Sequence, residues 1–328
     1  MSSVGLFEQV DPELEGRVRA GLDEVEARMT AFISSDVPFL VEAAQHLIRA
    51  GGKRFRPMLV LVAAEFGDRS ADTVVPAAVG VELTHLASLY HDDVMDEADL
   101  RRGADSANVR WDNTVAILTG DFLFAQASKA IADLGPEAVR IQAHTFARLV
   151  EGQVRETVGP REGEELLDHY LRVVADKTGA LISTAAHYGA LLAGASDRHV
   201  EVLTEFGERI GTVFQLSDDV IDVTSDATGK TPGTDLREGV PTLPVLIARR
   251  STDPADARLL SLLDSDLTDE TLLAEALKLL RAHPAIAESR AVVSQHADAA
   301  RALLAELPEG PARDALAGLC DLVVHRTT

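Results

Sequence analysis

Apolar and polar positions recur along most of the chain with a period close to that of an α-helix. Short breaks rich in Gly, Pro or Asp separate the periodic stretches, and no run of strictly alternating positions marks a strand. The pattern therefore predicts an all-α protein. Helices are expected at Asp11–Ala31, Pro38–Ala50, Pro57–Gly67, Val75–Asp96, Asn113–Leu134, Pro136–Val158, Gly163–Gly194, Arg198–Val223, Pro241–Leu263, Asp269–Ala282, Ala285–Leu307 and Pro311–His325.

The longest irregular piece is Thr224–Gly239, which reads TSDATGKTPGTDLREG. A loop of this length inside a compact domain is usually functional or disordered. We expect it to act as a lid. No linker-like segment divides the chain, so the sequence predicts a single domain over residues 1–328.

Composition narrows the function classes. The 328 residues are 46% hydrophobic but only 4% aromatic, so the core must consist mainly of Ala, Leu and Val. A net charge of −22 disfavours binding to nucleic-acid phosphates. The single cysteine, Cys320, excludes an internal disulfide and fits a reducing cytoplasm. Neither a signal peptide nor an apolar stretch that could span a bilayer is visible, so a cytoplasmic protein is expected.

The candidate chemistry lies in two motifs of the pattern DDxxD, at Asp92–Asp96 and Asp218–Asp222. In a helix, the first and last Asp of each motif share one face, where like charges repel unless a cation binds. Carboxylate oxygens suit Mg²⁺ better than Zn²⁺. One such motif alone more often marks a solvated acidic face. Here each motif follows apolar helix, THLASLYH or GTVFQL, which indicates carboxylates that point into a cavity.

Basic residues occur where anionic substrates would need them. The turn Gly51–Pro57, GGKRFRP, carries three basic residues into a predicted helix, and such turns favour phosphate. Arg101 and Arg102 follow the first motif, and arginine can bind diphosphate oxygens in a bidentate way. Lys177 and Lys230 add two further cations. Together with two metal motifs, these clusters indicate a diphosphate–metal substrate.

The chain resembles the trans-polyprenyl diphosphate synthases of long-chain type. GGKRFRP, HDDVMDEADLRRG, GDFLFAQA, KTG and QLSDDVIDV occur in that family's order between Ala50 and Leu246. The resemblance implies an isoprenoid synthase-type helical bundle around a deep central cavity, usually as a homodimer. It implies a Mg²⁺-dependent prenyltransferase, with three ions per active site, that condenses isopentenyl diphosphate with an allylic diphosphate. Membrane contact is expected to be transient at most, for product release.

The resemblance also implies a role for each matching residue. The expected metal ligands are Asp92, Asp96, Asp218 and Asp222, with Asp93 and Asp219 in support. The expected contacts to isopentenyl diphosphate are Lys53, Arg56, His85 and Arg102. The expected contacts to the allylic diphosphate are Arg101, Lys177, Thr178, Gln215 and Lys230. The expected catalytic set is Asp92, Asp93, Asp96, Arg101, Lys177, Asp218, Asp219 and Lys230.

Two of these positions leave alternatives open. From the residues alone, His85 reads equally well as a core histidine with satisfied hydrogen bonds. Val240 stands where the family often has a Lys, which puts one auxiliary diphosphate contact in doubt. Arg237 could substitute for that Lys.

Product length depends on the helix that ends in the first motif. Going back from Asp92, the residues expected to face the growing chain are Ala87 and Ser88, then Thr84, all small or moderate. In the family, an aromatic residue near Ala87 or Ser88 gives short products. We therefore expect a hexaprenyl to decaprenyl product for a quinone side chain. Geranylgeranyl diphosphate is the alternative, since a bulky residue on another helix could close the cavity. The candidates for that role are Phe122, Phe124 and Phe146.

Three further classes of protein fit the sequence less well. A terpene cyclase would usually lack the second DDxxD and GGKRFRP. A metal-dependent phosphohydrolase would use His85 and His91-Asp92 as ligands, but it leaves the second motif and the basic clusters unexplained. A non-catalytic subunit of a heteromeric synthase would lack the aspartates, and all six are present.

Overall fold

The computed structural model describes residues 11–224 and 232–327. Within these residues it is almost entirely helical, as the periodicity predicts. The pattern did not predict one antiparallel hairpin, β1 Leu100–Arg101 with β2 Ala104–Asp105, or the short helices at Ala107–Arg110 and Thr234–Arg237. The α-helices are α1 Pro12–Phe32, α2 Pro38–Arg49, α3 Phe55–Ala64, α4 Val74–Met95, α5 Ala107–Arg110, α6 Asn113–Ala132, α7 Pro136–Val158, α8 Leu166–Val174, α9 Ala180–Leu192, α10 Asp197–Thr224, α11 Thr234–Arg237, α12 Leu243–Ala248, α13 Ala257–Leu263, α14 Glu270–Ala282, α15 Pro284–Leu303 and α16 Pro311–His325.

Two long predicted helices are broken. The one expected over residues 163–194 contains a π-helical turn, Ala175–Gly179, between α8 and α9. The one expected over residues 241–263 ends with α12, and a 3₁₀ turn begins at Pro254. Pro254 cannot donate a backbone hydrogen bond, and the Asp253 side chain caps the new start by accepting from the Ala255 N–H at 2.9 Å.

Contacts divide the chain into two compact units, each made of three stretches of sequence. The first unit comprises Met1–Ala147, Leu181–Gly207 and Glu306–Leu316. The second unit comprises Arg148–Ala180, Glu208–Ala305 and Ala317–Thr328. The single domain expected over residues 1–328 stays a prediction.

Helix α4 forms the centre of the first unit. It packs on α1, α3 and α6 and is buried around most of its circumference, which explains its nearly uniform apolar sequence. Gly80 lets α6 come close, since a Cβ there would lie 2.5 Å from Ile131 Cδ1. The Tyr90 hydroxyl, also buried, donates to the Ala43 carbonyl of α2 at 2.5 Å. The first unit therefore holds the C-terminal end of α4 rigidly.

The core of the second unit is built around α12. All six of its residues are buried, and it packs against α8, α14 and α15. The Ser217 hydroxyl of α10 donates to the Val323 carbonyl of α16 at 3.1 Å, which ties the end of α16 to the second aspartate motif. Within the second unit, the chain after this motif is thus well packed over Leu243–Ala248.

Among the described residues, α6 is the one helix whose length and composition would match a membrane span. Its most apolar window has a mean hydropathy of 1.3 and is 44% buried. Asp121 and Lys129 interrupt the apolar run, and the helix packs along α4. These features are those of a packed helix with one apolar face exposed.

Candidate active site

The first aspartate motif lies at the C-terminal end of α4. Asp92 and Asp93 are in its last turn, and Asp96 is the C-cap residue, whose N–H donates to the Asp92 carbonyl at 2.8 Å. This end of a helix carries partial negative charge, so carboxylates there are unfavourable without a nearby cation. Arg101 on β1 supplies one, with its Nε 2.5 Å from Asp93 Oδ1. The resemblance assigned Arg101 to the allylic diphosphate, and the structure places it against Asp93.

Asp93 is fully buried, and its Oδ2 atom has no hydrogen-bond partner among the described residues. Burial raises the pKa of Asp93, and the Arg101 charge opposes this. Asp92 is half-buried and Asp96 is exposed. A buried oxygen without a partner beside two accessible carboxylates fits a hard divalent cation. As they stand, no three His, Cys, Asp or Glu side chains in the described ranges are grouped to hold a metal ion.

Arg102 anchors the hairpin to the basic turn before α3. It has a left-handed backbone, with φ 56°, and its Nη1 donates to the carbonyls of Leu47, at 3.1 Å, and Gly51. A Cβ at Gly52 would lie 2.9 Å from the Arg102 guanidinium carbon, so only glycine leaves room for the guanidinium. The Gly51-Gly52 turn and Arg102 are therefore one structural feature.

Trp111, the chain's one tryptophan, ties the hairpin to α2. Its ring meets Phe39 and His46 edge-on at centroid distances of 5.9 and 5.2 Å, and the Arg110 guanidinium lies 4.6 Å from it. His46 Nε2 is 2.8 Å from the Asp105 carbonyl oxygen and Nδ1 is 3.0 Å from Arg110 Nη1. Those partners require the His46 proton on Nε2. This packing fixes the position of β2.

Three arginines surround one buried carboxylate, Glu82. Arg54, in a left-handed backbone conformation, donates to Glu82 Oε1 at 3.0 Å and to Glu26 at 2.7 Å. Burial raises the pKa of Glu82, while the charges of Arg54, Arg56 and Arg102 oppose the shift. No sequence motif marks Glu82. Its signal was one acid within the otherwise apolar stretch VGVELTHLASLY.

Arg56 and His85 lie in this same cluster. Arg56 Nε is buried without a hydrogen-bond partner among the described residues, and desolvation is the main cause that lowers the Arg56 pKa to about 10. Desolvation, followed by the charges of Arg56 and Arg102, holds the His85 pKa well below 6.5. Lys53 is exposed in the turn before α3. The first unit thus presents a neutral histidine and a guanidinium with a spare donor, which together suit an anion.

The second aspartate motif occupies the end of α10 in the second unit. Asp218 Oδ1 lies 2.6 Å from Arg326 Nη2, and the Arg326 guanidinium also lies 4.8 Å from the Phe214 ring. Asp222 Oδ2 accepts a hydrogen bond from the Asp235 N–H at 3.3 Å. The carboxylates of this motif therefore have partners from α11 and from Arg326, the residue that directly follows α16. Sequence patterns gave no sign of Arg326.

Asp219 is the buried member of the second motif. It accepts hydrogen bonds from the Tyr170 hydroxyl, from Gln215 Nε2 at 3.1 Å and from the Leu243 N–H at 3.2 Å. Burial outweighs these donors and raises the pKa of Asp219 to about 6. Tyr170 was also missed, because a tyrosine in an amphipathic helix gives no distinct signal.

Lys177 and Thr178 line a cavity of about 530 Å³ within the second unit, together with Gln215 and Asp219. Thr178 Oγ1 donates to Gln215 Oε1 at 3.3 Å, and Lys177 Nζ lies 2.5 Å from Glu156 Oε2. Three of the residues assigned by resemblance to the allylic diphosphate are thus neighbours. Glu156, which pairs with the lysine, was not predicted.

The loop after the second motif is described only in part. Lys230 and the central part of the expected lid fall on residues 225–231, which lie outside the described residues. Val240 lines the 530 Å³ cavity with 38% of its surface exposed. Arg237 is 2.8 Å from Glu270. The arginine that could have replaced the missing Lys is therefore paired elsewhere.

The residues expected to set product length are firmly packed in the first unit. Ala87 is fully buried, and Ser88 Oγ donates to the His85 carbonyl at 2.9 Å. Thr84 Oγ1 accepts from Gln142 Nε2 of α7 at 2.6 Å. Of the three phenylalanines that could close the cavity, Phe124 and Phe146 form a tilted pair with ring centroids 3.8 Å apart.

Comparisons with known proteins identify the family of the chain. A family model described as polyprenyl synthetase matches residues 37–280. The chain is 49% identical over 319 residues to the nonaprenyl diphosphate synthase of Mycobacterium tuberculosis, covering 96% of this chain and 95% of that protein. A crystal structure of geranylgeranyl pyrophosphate synthase from Corynebacterium glutamicum, complexed with calcium and isoprenyl diphosphate, matches with TM-score 0.88 and 46% identity over 97% of this chain and 98% of that one. A decaprenyl diphosphate synthase from Rhodobacter capsulatus matches with TM-score 0.88 and 35% identity over 96% and 99%.

Proposed function

The chain belongs to the polyprenyl synthetase family, and from this premise we propose that it condenses isopentenyl diphosphate with an allylic diphosphate to make a long-chain, all-trans polyprenyl diphosphate. The observation that carries the proposal is the repeated pairing of an aspartate motif at a helix end with nearby cations, once in each unit. We expect a hexaprenyl to decaprenyl product that serves as a quinone side chain.

Geranylgeranyl diphosphate is the second candidate product. The 46% identity to a geranylgeranyl pyrophosphate synthase favours it. The 49% identity to a nonaprenyl diphosphate synthase favours the long product. The small residues Ala87 and Ser88 on α4 also support the long product, because neither position carries an aromatic ring.

In the first unit, the cluster around Glu82 is proposed to bind isopentenyl diphosphate. The contacts would be Lys53, Arg56, His85 and Arg102. Arg56 offers a buried donor without a partner, and its desolvated guanidinium would bind an anion more strongly than it would in water. Neutral His85 can donate a hydrogen bond without adding charge to an already cationic cluster.

In the second unit, Lys177, Thr178 and Gln215 are proposed to bind the allylic diphosphate, with Arg101 and Lys230 as further contacts. A diphosphate would replace Glu156 as the partner of Lys177, since a multiply charged anion competes well with a single carboxylate. The apolar cavity lining near Val173 and Leu246 would exclude water from the reacting end.

The proposed metal is Mg²⁺, three ions per active site, with Asp92, Asp96, Asp218 and Asp222 as the proposed ligands. When bound, the metal ions neutralise the charge that develops on the diphosphate leaving group. The allylic C–O bond then breaks, and the double bond of isopentenyl diphosphate attacks the resulting cation to form a new C–C bond. A proton leaves the adjacent carbon, and the released diphosphate is its proposed acceptor.

The proposed working form is a cytoplasmic homodimer. In the first unit, α6 exposes Ile117 and Leu118 by 43% and 58%, which are large fractions for apolar side chains. A second copy of the chain would cover them. The single buried cysteine, Cys320, is compatible with a reducing compartment.

The proposed function is tested by incubating the purified protein with Mg²⁺, isopentenyl diphosphate and farnesyl diphosphate, and sizing the products after removal of the diphosphate. Products of thirty to fifty carbons are expected. A ladder that stops at twenty carbons, from farnesyl diphosphate, would establish the geranylgeranyl alternative. Phosphate release without chain growth would instead point to a phosphohydrolase.

A further inference from the structure

The turn that carries Lys177 departs from regular helix. Over Ala175–Gly179 the chain forms a π-helical turn, in which the Ala180 N–H donates to the carbonyl of Ala175. Such turns are rare, they give up regular helical hydrogen bonds, and they occur frequently at functional sites. This one lies between α8 and α9 and places Lys177 and Thr178 in the lining of the 530 Å³ cavity. Other contacts must compensate for its cost.

Asp176, in the middle of this turn, is held by two arginines of α7. Its Oδ1 accepts from Arg148 Nε at 3.0 Å, and its Oδ2 accepts from Arg155 Nη1. The two arginines are seven residues apart, about 10 Å along a helix. Each therefore binds a different oxygen of the carboxylate. The Asp176 side chain is only 16% exposed, so these bonds are partly shielded from water. This arrangement is called the Asp176 clamp below.

Arg148 also joins the clamp to α10. Its two terminal nitrogens bind both carboxylate oxygens of Glu208, at 3.0 and 2.5 Å. The hydrogen bonds to Glu208 are the main cause that raises the Arg148 pKa. Glu208 lies on the same helix as Gln215 and Asp219. The clamp therefore fixes the π-helical turn relative to the helix that bears the second aspartate motif.

Gly152 adds a second, independent constraint between Arg148 and Arg155. It is buried on α7, and a Cβ built there would lie 2.8 Å from the backbone nitrogen of Lys177 and 3.0 Å from Asp176 Cβ. The α7 backbone thus touches the turn directly. Any side chain at this position would push the turn away from α7.

We propose that Asp176 is a positioning residue for the allylic diphosphate. It touches no substrate, and it acts by holding the π-helical turn where Lys177 and Thr178 reach the cavity. The hydrogen-bond chain from Thr178 to Gln215, at 3.3 Å, and on to Asp219, at 3.1 Å, depends on the same placement. The inference rests on the proposed function, because it assigns these side chains to the allylic substrate.

A structural ion pair would behave differently. Partly exposed ion pairs contribute about 0–1 kcal/mol to stability, and their loss would shift the unfolding midpoint without favouring one substrate over the other. A positioning role instead predicts a selective change in the KM of one substrate, because a displacement of about 1 Å is enough to weaken binding and catalysis strongly.

The first test is Asp176→Asn, which removes the charge and keeps the size. The KM for farnesyl diphosphate should rise about 10-fold, while the KM for isopentenyl diphosphate changes less than about 2-fold. The matched control is Glu275→Gln in the same unit. Glu275 accepts two hydrogen bonds from Arg258, at 2.8 and 2.5 Å, far along the chain from the turn. The control should leave both KM values unchanged.

The second test is Gly152→Ala, with Gly16→Ala as the control. A Cβ at Gly16 meets nothing within 4 Å, so the control adds the same methyl group in open space. Calorimetric titration with farnesyl diphosphate and Mg²⁺, without isopentenyl diphosphate, should show weaker binding for Gly152→Ala and wild-type binding for Gly16→Ala. This readout needs no turnover, so it separates failure of this inference from failure of the proposed function.

If Asp176→Asn does not fold, the kinetic test is made with Arg155→Gln, because Arg155 is 38% exposed and supplies one of the two arginine contacts to Asp176. Equal rises in both KM values, or a lowered unfolding midpoint with unchanged KM values and unchanged binding, would overturn the positioning role. A selective rise in the farnesyl diphosphate KM supports it.

Discussion

At the scale of single residues, the carboxylates within each aspartate motif are not equivalent. The second member, Asp93 or Asp219, is buried and hydrogen-bonded to its surroundings, whereas Asp92 and Asp218 remain partly accessible. The buried members have raised pKa values because burial disfavours their charge. A buried carboxylate whose charge is disfavoured by its surroundings is typical of a functional site, and not of an interaction that stabilises the fold. The accessible members are the better candidates for direct metal contact.

Asp92→Ala and Asp218→Ala should each lower kcat by about 100-fold or more, because each removes a proposed metal ligand. The free energy of unfolding should change by less than about 1 kcal/mol, since both side chains are partly exposed. Turnover, Mn²⁺ binding by electron paramagnetic resonance and the unfolding midpoint are the measurements.

Asp321→Ala is the matched control for Asp218→Ala. Asp321 is 58% exposed and pairs with Arg301, but it belongs to no aspartate motif. Its loss should leave kcat and Mn²⁺ binding at wild-type values. Near-normal turnover in folded Asp92→Ala and Asp218→Ala would rule out the metal assignment.

His85 should remain neutral between pH 6 and 8. Desolvation and the surrounding arginines hold its pKa well below 6.5 in the folded protein, while in the unfolded chain its pKa is about 6.5. Below about pH 6.5, His85 therefore binds a proton in the unfolded state that it does not bind in the folded state. The contribution of this group to stability is complete above about pH 6.5 and is lost as the pH falls below that value.

Nitrogen chemical shifts of His85 measured by NMR check this directly. They should stay constant from pH 8 to 6. A His85 midpoint within that range would mean that the arginine cluster does not exclude a further positive charge.

At the scale of elements, the sequence predicted helices well where one apolar face persists and poorly where local chemistry breaks the pattern. The helices expected at Asp11–Ala31 and Val75–Asp96 were found at Pro12–Phe32 and Val74–Met95. The π-helical turn was not predictable from periodicity, because its single extra residue barely shifts the apolar pattern.

The same limit applies to the site. Motifs identified the aspartates and Lys177, because their chemistry is concentrated in short stretches of sequence. Glu82, Tyr170 and Arg326 were missed, because each acts through a contact with a residue distant in sequence. Sequence patterns reveal functional residues that lie together in a short motif, whereas partners distant in sequence become visible only in the folded structure.

Ala87→Phe on α4 should shorten the product. A ring at this fully buried position would project into the path proposed for the growing chain, and farnesyl or geranylgeranyl products are expected with the first condensation intact. Overpacking a buried site costs about 1–3 kcal/mol, so Ser88→Phe, at a half-buried position one residue on, serves as a second variant.

Ala143→Phe provides the control, because it makes the same change at an exposed position of α7. Products are sized by chromatography after removal of the diphosphate. An unchanged product distribution from both folded, active α4 variants would show that the chain does not grow past this face.

At the scale of the whole molecule, the exposed apolar face of α6 bears on assembly. Leu118→Glu should dissociate the proposed homodimer, because a charge on a side chain that is 58% exposed costs the isolated chain little but would be buried in the interface. Sedimentation equilibrium should give a monomer for this variant and a dimer for the wild type.

Val109→Glu is the control, since Val109 is 51% exposed and lies on α5 instead of α6. It should leave the wild-type assembly intact. A wild-type protein that sediments as a monomer at micromolar concentration, or a Leu118→Glu variant that stays dimeric, would exclude α6 as the contact face.

The packing of Trp111 has an optical consequence. The chain contains one tryptophan, so indole emission comes from the first unit alone. The ring lies between His46, Phe39 and Arg110, beside the hairpin that bears Arg101 and Arg102. Ligands that disturb the hairpin should change the wavelength or intensity of the Trp111 emission. Ligands confined to the second unit should leave that emission unchanged. A stopped-flow fluorimeter could therefore time events at one of the two aspartate motifs without any introduced label.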